Sequence, residues 1–356
     1  SFKQDKQLKI NNLIIMQKQL LLGVEAIAQG AIDGGISGVF AYPGTPSTEI
    51  TEYIQESKQA IARNVHRMWS ANEKTAMETA LGMSYAGKRA LVCMKHVGMN
   101  VAADCFMNAA ITGANGGMVV IAADDPSMHS SQNEQDSRMY GKFALIPIME
   151  PSNQQEAYDM TRYAFDLSEQ MGTPVLLRIT TRLAHSRSGV EPRETKAENA
   201  IRLPEDKRQF VLLPAIAKKR YKLLLEKQNA FEEASDNSSF NQYIDGADKS
   251  MGIVACGIGY NYLMEVFGGN CPYPVVKVSQ YPLPRKMITK LAESTEKLLV
   301  LEEGYPIVEE ALKGYLEKEC VLGRLDGTLP RDGELNPDHV AKAFGLPSIE
   351  GSPVPE

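Results

Sequence analysis

Short apolar runs alternate with helical segments over two stretches of the chain, and this alternation limits the fold more than any other feature. In the first stretch, strands are predicted at 38–42, 90–94, 117–123 and 173–179. In the second stretch, strands are predicted at 251–256, 275–278 and 298–301. Strands that alternate with helices form mostly parallel sheets, because each helix carries the chain back across the sheet. The sequence therefore predicts an α/β fold with two parallel-sheet domains.

A change of composition after Ser186 separates the two stretches. Residues 187–250 are dense in charge and begin with several prolines, and 216–233 is predicted to form one charged helix. A charged helix of this kind is typical of a solvated bridge between domains. We therefore expect an extension or tag at 1–15, a first domain at 16–186, a charged helical linker at 187–250, a second domain of three or four strands at 251–345, and a tail at 346–356.

The composition is that of an ordinary globular protein and argues against several classes. Hydrophobic residues make up 43% of the 356 residues, and the net charge of −6 does not favour binding to nucleic acid. No apolar run approaches the ~18 residues of a membrane-spanning helix, and residues 1–15 lack a signal-peptide core. The five cysteines are widely separated, which argues against a disulfide framework, a zinc site or an iron–sulfur cluster in this chain. We expect a reduced, cytoplasmic protein that binds neither membrane nor nucleic acid.

Glu73 is open to two interpretations. The spacing of Ser70 and Glu73 fits a capping box, in which a glutamate at the third helical position reaches back to the amide of the cap residue. The predicted helix at 71–86, however, is rich in alanine, glycine and serine. A helix with such small side chains packs closely against another backbone or against a planar ligand. The carboxylate of Glu73 is therefore either a helix cap or a ligand-binding group, and the local residues alone favour the cap.

Three other polar segments directly follow predicted strands, at 42–47, 95–100 and 124–136. Thr45 supplies a hydroxyl in the first segment, Lys95 and His96 could receive a carboxylate in the second, and His129 lies in the third. Each segment alone is explained by an ordinary turn or a solvated loop. Because open α/β sheets bind ligands at the carboxyl ends of their strands, the shared location of the segments favours a binding site.

Together and in this order, these motifs resemble the N-terminal part of the alpha subunits of indolepyruvate:ferredoxin oxidoreductases, in the 2-oxoacid:ferredoxin oxidoreductase family. The most specific part is the run Asp-Asp-Pro-Ser-Met-His-Ser-Ser-Gln-Asn-Glu-Gln-Asp at 124–136. The resemblance is close over 16–186 and looser over 251–340. It implies that 16–186 is a thiamine-diphosphate pyrimidine-binding domain and that 251–345 is a transketolase-C-terminal-like domain.

The resemblance also implies an activity. Such enzymes use thiamine diphosphate to decarboxylate an arylpyruvate such as indolepyruvate, pass electrons through 4Fe-4S clusters to ferredoxin, and release an aryl-acetyl-CoA. The implied partners are a small beta subunit, ferredoxin, coenzyme A, and a second copy of the chain bound through the pyrimidine-binding domain.

Site residues carry over by matching position. Glu73 would be the catalytic glutamate, which hydrogen-bonds the aminopyrimidine ring of the cofactor and helps to remove its thiazolium proton. Gly98 and Asn100 would contact the cofactor. The substrate pocket would be lined by Thr45, Lys95, His96 and His129. Pyruvate-specific relatives have an arginine after the strand equivalent to 118–123, whereas this chain has Asp124 and Asp125, so the partner of the substrate carboxylate is not identified.

The sequence lacks the Gly-Asp-Gly…Asn pattern that binds magnesium and diphosphate in the resembling family. We therefore expect no metal site in this chain, with Mg²⁺ and the 4Fe-4S clusters held by parts outside it, and we expect the fragment to be inactive alone. Two alternatives stay open: an oxidoreductase for another 2-oxoacid, such as 2-oxoglutarate or a branched-chain oxoacid, and a non-catalytic α/β scaffold subunit. A dinucleotide-dependent dehydrogenase is disfavoured, because Gly257-Ile258-Gly259 lacks the third glycine of the fingerprint.

Overall fold

The computed structural model describes residues 18–316, 321–324, 326–330 and 333–347. The elements of the first part are, in chain order, β1 (Gln19–Leu22), α1 (Gly23–Asp33), β2 (Gly38–Ala41), α2 (Thr48–Glu56), α3 (Lys58–Ala62), β3 (His66–Trp69), α4 (Glu73–Tyr85), β4 (Ala90–Lys95), α5 (His96–Thr112), β5 (Met118–Asp124), α6 (Arg138–Ala144), β6 (Ile148–Met149), α7 (Gln154–Met171), β7 (Val175–Thr180), α8 (Thr181–His185) and β8 (Arg187–Val190). The later elements are α9 (Pro214–Glu226), α10 (Gln228–Asp236), β9 (Gln242–Ile244), β10 (Gly252–Cys256), α11 (Ile258–Val266), β11 (Val275–Val278), β12 (Gln280–Tyr281), α12 (Arg285–Ser294), β13 (Leu298–Leu301), α13 (Ile307–Leu316), β14 (Val321–Leu322) and α14 (Pro337–Ala343). The extension predicted at 1–15 and residues 348–356 of the predicted tail lie outside these ranges. Within the ranges, no helix has the length and apolar character needed to cross a membrane.

The first sheet has the strand order β12-β6-β7-β5-β4-β2-β3 over the described residues. All neighbouring pairs are parallel except β12 with β6. Residues of the central strands alternate between two cores: one face packs against α1, α2 and α7, and the other packs against α4 and α5. Because helices cover both faces, these strands are mostly apolar and read as nearly uninterrupted runs, in which Lys95, Asp124 and Arg178 are the charged residues.

The second sheet has the strand order β14-β13-β10-β11-β9 in the described part of the chain. Its strands are parallel except for β9, which pairs antiparallel with β11 at the sheet edge. β9 lies inside the segment predicted as a linker, and it brings this sheet to five strands instead of the three or four expected. The strand is short and only partly buried, so its residues carry no clear strand pattern.

The chain passes directly from the second sheet to the first. β11 ends at Val278, and after Ser279 the chain forms β12, which pairs with β6. Asn241 holds this crossing, because its Oδ1 accepts hydrogen bonds from the amides of Ser279 (2.7 Å) and Gln280 (2.9 Å). The crossing joins the two domains along one edge and brings the residues after β13 close to the first sheet.

The single helix predicted at 216–233 is wrong. Two helices, α9 and α10, replace it, with the break at Lys227. The ammonium of Lys227 donates to the carbonyl oxygens of Met171 (2.7 Å) and Gly172 (3.2 Å), at the end of α7. The break therefore follows from docking on the first domain, because no proline or glycine marks it in the sequence.

Candidate functional site

Four segments that follow parallel strands lie at the same edge of the first sheet. The strand register aligns Ala41 with both Cys93 and Trp69, and it aligns Lys95 with Ala123. The chain therefore leaves β2, β3, β4 and β5 on one side of the molecule. The polar segments at 42–47, 70–73, 95–100 and 124–136 meet there, at the edge where parallel α/β sheets bind ligands.

The capping box predicted for Ser70 and Glu73 is wrong. Helix α4 begins at Glu73 rather than at 71, and its cap residue is Asn72, whose Oδ1 accepts a hydrogen bond from the amide of Thr75 (2.9 Å). Glu73 is thus the first helical residue instead of the third. Because Asn72 supplies the cap, the carboxylate of Glu73 is not required for it.

Glu73 packs against Gly98, in the first turn of α5. A methyl group at Gly98 would lie only 2.7 Å from Oε1 of Glu73, so glycine is the residue that allows this approach. Both residues lie in the first turn of a helix, where the helix dipole favours a negative charge. Glu73 is half-buried. The arrangement leaves a partly exposed carboxylate at the sheet edge, beside a surface without a side chain.

Ser130 connects two of the predicted substrate residues. The ammonium of Lys95 donates to the carbonyl oxygen of Ser130 (2.7 Å), and the hydroxyl of Ser130 lies 3.5 Å from the carbonyl oxygen of Thr45. The structure therefore brings Thr45 and Lys95 to one place. Sequence reasoning did not single out Ser130, because one serine in a polar loop carries no distinguishing signal.

Asp125 anchors the segment at 125–136, which we call the site loop. Its side chain is almost fully buried and accepts hydrogen bonds from the amide of Ser130 (2.9 Å), the hydroxyl of Ser131 and the hydroxyl of Thr181 (2.7 Å). Burial raises the pKa of Asp125, but these hydrogen bonds and the charge of Lys95 hold the pKa below its ordinary value. An ionised Asp125 therefore fixes the loop that contacts Lys95.

The other predicted site residues contact protein groups around the site loop. Nε2 of His96 lies 3.0 Å from the carbonyl oxygen of Asn133, and His96 is buried. Oδ1 of Asn100 accepts a hydrogen bond from the hydroxyl of Tyr140 (2.5 Å). Nε2 of His129 lies 3.3 Å from Oε2 of Glu334, in the second domain. The structure thus places His96 under the site loop and His129 on the side that faces the second domain.

A buried charge network joins the two domains behind the site loop. Nε of Arg178 lies 2.7 Å from Oδ2 of Asp124, and its Nη1 lies 2.5 Å from Oε1 of Glu150. A second buried arginine, Arg138, pairs with Asp136 (2.6 Å) and with Glu302 of the second domain (3.0 Å). Burial raises the pKa of Asp136, but the guanidinium groups of Arg138 and Arg178 hold it at about 2. Asp136 therefore stays ionised between the two arginines, whereas burial raises the pKa of Asp124 and of Glu302 in the same network.

Asp124 and Asp125 are adjacent in the chain, at the end of β5 and the start of the site loop. The structure gives the two aspartates different roles, since Asp124 pairs with Arg178 and Asp125 anchors the site loop. The spacing of the sequence contains no signal for the network, because its members come from distant parts of the chain.

Glu303 lies beside this network and gives a pH-dependent prediction. Among the described residues neither of its carboxylate oxygens has a hydrogen-bond partner, and burial raises its pKa from 4.5 to about 7. The carboxyl group of Glu303 thus binds a proton more tightly in the folded protein than in the unfolded chain. Protonation of Glu303 stabilises the fold fully at low pH, and this stabilisation is lost as the pH rises between about pH 5 and pH 8. We expect Glu303→Gln to be more stable than the wild type at about pH 8, by up to about 3 kcal/mol.

Urea unfolding of both proteins across this pH range measures the effect. The exposed Glu296 provides the matched control, since Glu296→Gln should leave the pH dependence unchanged. An unchanged pH dependence in Glu303→Gln would show that Glu303 is already ionised at neutral pH.

An apolar cavity of about 410 Å³ opens between α6, β12, α12 and α13. Its walls include Ile146 and Ile148 of the first domain and Ile288 and Val308 of the second. None of the predicted site residues is among the described residues that line it. The polar groups at the sheet edge therefore form a separate feature of the molecule.

Known proteins are similar to this chain, some in sequence and one solved structure in fold. The family model described as pyruvate flavodoxin/ferredoxin oxidoreductase, thiamine diphosphate-binding, matches residues 29–237. Indolepyruvate oxidoreductase subunit IorA of Archaeoglobus fulgidus is 43% identical over 340 residues, which cover 93% of this chain and 54% of that protein. The IorA subunit of Pyrococcus abyssi is 43% identical over 361 residues, which cover 95% of this chain and 55% of that protein.

A solved structure shows the same fold at low sequence identity. The 2-oxoglutarate:ferredoxin oxidoreductase from Magnetococcus marinus, with 2-oxoglutarate, coenzyme A and succinyl-CoA bound, superposes with a TM-score of 0.73 and 14% identity. The match covers 92% of this chain and 65% of that chain. The two-domain α/β fold predicted from the sequence is confirmed.

The family resemblance predicted from the motifs is also confirmed. The chain spans about half the length of the curated relatives that it matches. The matched region at 29–237 contains every predicted site residue and makes up more than half of the chain. This chain belongs to the pyruvate flavodoxin/ferredoxin oxidoreductase family and carries its thiamine diphosphate-binding region.

Proposed function

We propose that this chain is the part of an indolepyruvate:ferredoxin oxidoreductase that holds the aminopyrimidine ring of thiamine diphosphate and binds the 2-oxoacid. The position of Glu73 carries the proposal. Its carboxylate is freed from helix capping by Asn72, packs against Gly98, and lies at the ligand-binding edge of the sheet. The names of the relatives support indolepyruvate as the substrate.

The residues around Glu73 fit the cofactor. Gly98 has no side chain, so the side chain of Glu73 can lie against the first turn of α5, at the sheet edge where the ring would bind. The carboxyl group of Glu73 would hydrogen-bond a ring nitrogen and hold the proton shared with it. Asn100 offers its amide nitrogen as a second donor, because its oxygen already accepts from Tyr140. When bound, thiamine diphosphate would supply the nucleophilic carbon that attacks the 2-oxo group.

Lys95 and Thr45 would bind the substrate. One hydrogen of the Lys95 ammonium goes to the carbonyl oxygen of Ser130, and an ammonium group has three. The other two would meet the carboxylate of the oxoacid, which gives that group the cationic partner that sequence reasoning left open. The hydroxyl of Thr45, exposed at the same edge, would orient the keto group, while His96 and His129 would line the pocket.

The rest of the reaction would take place on parts outside this chain. We assign Mg²⁺, the diphosphate and the 4Fe-4S clusters to other parts of the complex, with ferredoxin, coenzyme A and a small beta subunit as partners. A second copy would bind through the first domain, and the complex would work in the cytoplasm. The greater length of the relatives supports this division, since this chain covers only 54% and 55% of the two compared.

An oxoacid assay tests the proposal. The full native gene product is purified without oxygen together with its co-purifying partners, and CoA-dependent reduction of a viologen dye is followed. The panel consists of indolepyruvate, phenylpyruvate, pyruvate and 2-oxoglutarate. We expect the highest kcat/KM with the arylpyruvates. A preference for 2-oxoglutarate or pyruvate would keep the mechanism and reject the substrate. No turnover by a complex shown to hold its cofactor and clusters would reject the function and favour the scaffold alternative.

A further inference from the structure

The second domain contacts the site loop through Tyr305. The hydroxyl of Tyr305 donates to the carbonyl oxygen of Glu134 (2.9 Å), and the amide of Tyr305 donates to Oδ2 of Asp136 (3.0 Å). Tyr305 follows β13 of the second sheet, at the carboxyl end of that strand. The C-terminal part of the site loop is therefore fixed by a residue of the other domain.

Glu334 makes a second contact at the other end of the loop. Its carboxylate accepts two hydrogen bonds from Arg182 (3.0 and 2.6 Å), and its Oε2 lies 3.3 Å from Nε2 of His129. The adjacent Gly333 lies against Ser127, because a methyl group on Gly333 would be 3.5 Å from the serine hydroxyl. A planar two-bond contact with arginine sets orientation as well as distance, so Glu334 is itself held in place.

The site loop connects these contacts directly to the proposed substrate pocket. The site loop carries Ser130, whose carbonyl oxygen accepts the hydrogen bond from Lys95. Asp125 ties the same loop to the first sheet through Thr181. The loop is thus held by its own sheet at Asp125 and by the second domain at Tyr305 and Glu334. A shift of the loop would move the group that orients Lys95.

We propose that Tyr305 and Glu334 are positioning residues, through which the second domain sets the shape and selectivity of the 2-oxoacid pocket. Both lie beyond the region at 29–237 that the family model matches. This inference rests on the proposed function, because it takes Lys95 as a substrate-binding group. The second domain then acts on substrate choice through the site loop.

Steady-state kinetics of the full complex test the inference. The variants are Tyr305→Phe, which removes one hydroxyl, and Glu334→Ala, which removes the contact with His129 and Arg182. We expect KM for the arylpyruvate to rise about tenfold in each, with kcat within about threefold of the wild type. The dissociation constant of thiamine diphosphate should stay unchanged, and the preference for arylpyruvate over pyruvate should fall. The exposed Tyr221 and Glu296 supply the matched controls Tyr221→Phe and Glu296→Gln.

Amide hydrogen exchange gives a readout that does not depend on turnover. Residues 125–136 should exchange faster in both variants, while the central strands β4 and β5 keep wild-type protection. Wild-type KM, selectivity and loop exchange in both variants would overturn the inference. A rise in KM that is accompanied by equal losses of kcat, cofactor affinity and melting temperature would also overturn the inference, because that pattern indicates a general structural role. If the wild type turns over no oxoacid, the proposed function fails, and unchanged loop exchange in the variants would then refute the positioning contacts separately.

Discussion

Glu73→Gln is expected to lower kcat for the 2-oxoacid by about 100-fold or more, with the fold unchanged. Glutamine keeps the shape of glutamate and can still hydrogen-bond, but it cannot exchange a proton with the cofactor ring at neutral pH. Helix α4 should not lose stability, because Asn72 and not Glu73 caps it. The measurements are kcat of the full complex and the melting temperature, each compared between the wild type and the variant.

Two other variants make the Glu73 result specific. Glu78→Gln, on an exposed turn of the same helix, is the matched control and should keep wild-type kcat. Gly98→Ala keeps the carboxylate but places a methyl group 2.7 Å from Oε1 of Glu73. It should therefore lower both kcat and the affinity for thiamine diphosphate. Full activity in Glu73→Gln would contradict the assignment and leave Glu73 without a catalytic role.

Arg178→Met is expected to lower the free energy of unfolding by about 3–5 kcal/mol. The guanidinium of Arg178 is fully buried, and it pairs with Asp124 and Glu150. Methionine removes the positive charge and leaves two buried carboxylates without it. Such a loss costs far more than the net contribution of the ion pair, because an unpaired charge stays in the interior. Urea unfolding of this chain measures the effect.

The control for this variant is an exposed ion pair. Arg193 lies 3.2 Å from Asp159 and is largely exposed, so Arg193→Met should change the free energy of unfolding by no more than about 1 kcal/mol. Tyr305→Phe removes only the hydrogen bond from the Tyr305 hydroxyl to Glu134, so it should not reproduce this loss of stability. A loss below about 1 kcal/mol in Arg178→Met would contradict a dry, paired interior at this position.

The main strands could be predicted because their signal is local. Each central strand is an apolar run with at most one charged residue, so the residues of one segment suffice to identify it. β9 and β12 escaped prediction for the opposite reason. They are three and two residues long, and they form only because a neighbouring strand offers an edge. The break at Lys227 was missed similarly, since the first domain imposes it.

The candidate site was predicted in outline but not in detail. Loops at adjacent strand ends were sufficient to bring Thr45 and Lys95 together, because parallel strands fix where their ends lie. The choice between Ser70 and Asn72 as the cap of α4 was not accessible, since both residue types cap helices and only the backbone decides. Sequence reasoning also missed Asp125, whose role depends on hydrogen bonds to a loop and to another strand end.

By itself, the sequence determined the two α/β domains, the family and the edge of the sheet that carries the polar segments. These features depend on periodicity and on short motifs, which are properties of neighbouring residues. Only the tertiary structure decided which charges are paired. Arg138 and Glu302 stand 164 positions apart in the chain. Arg178 lies in β7, whereas its partner Glu150 follows β6. Pairing between buried charges depends on distance and exclusion of water in the folded state, and neither is written in the spacing of residues along the chain.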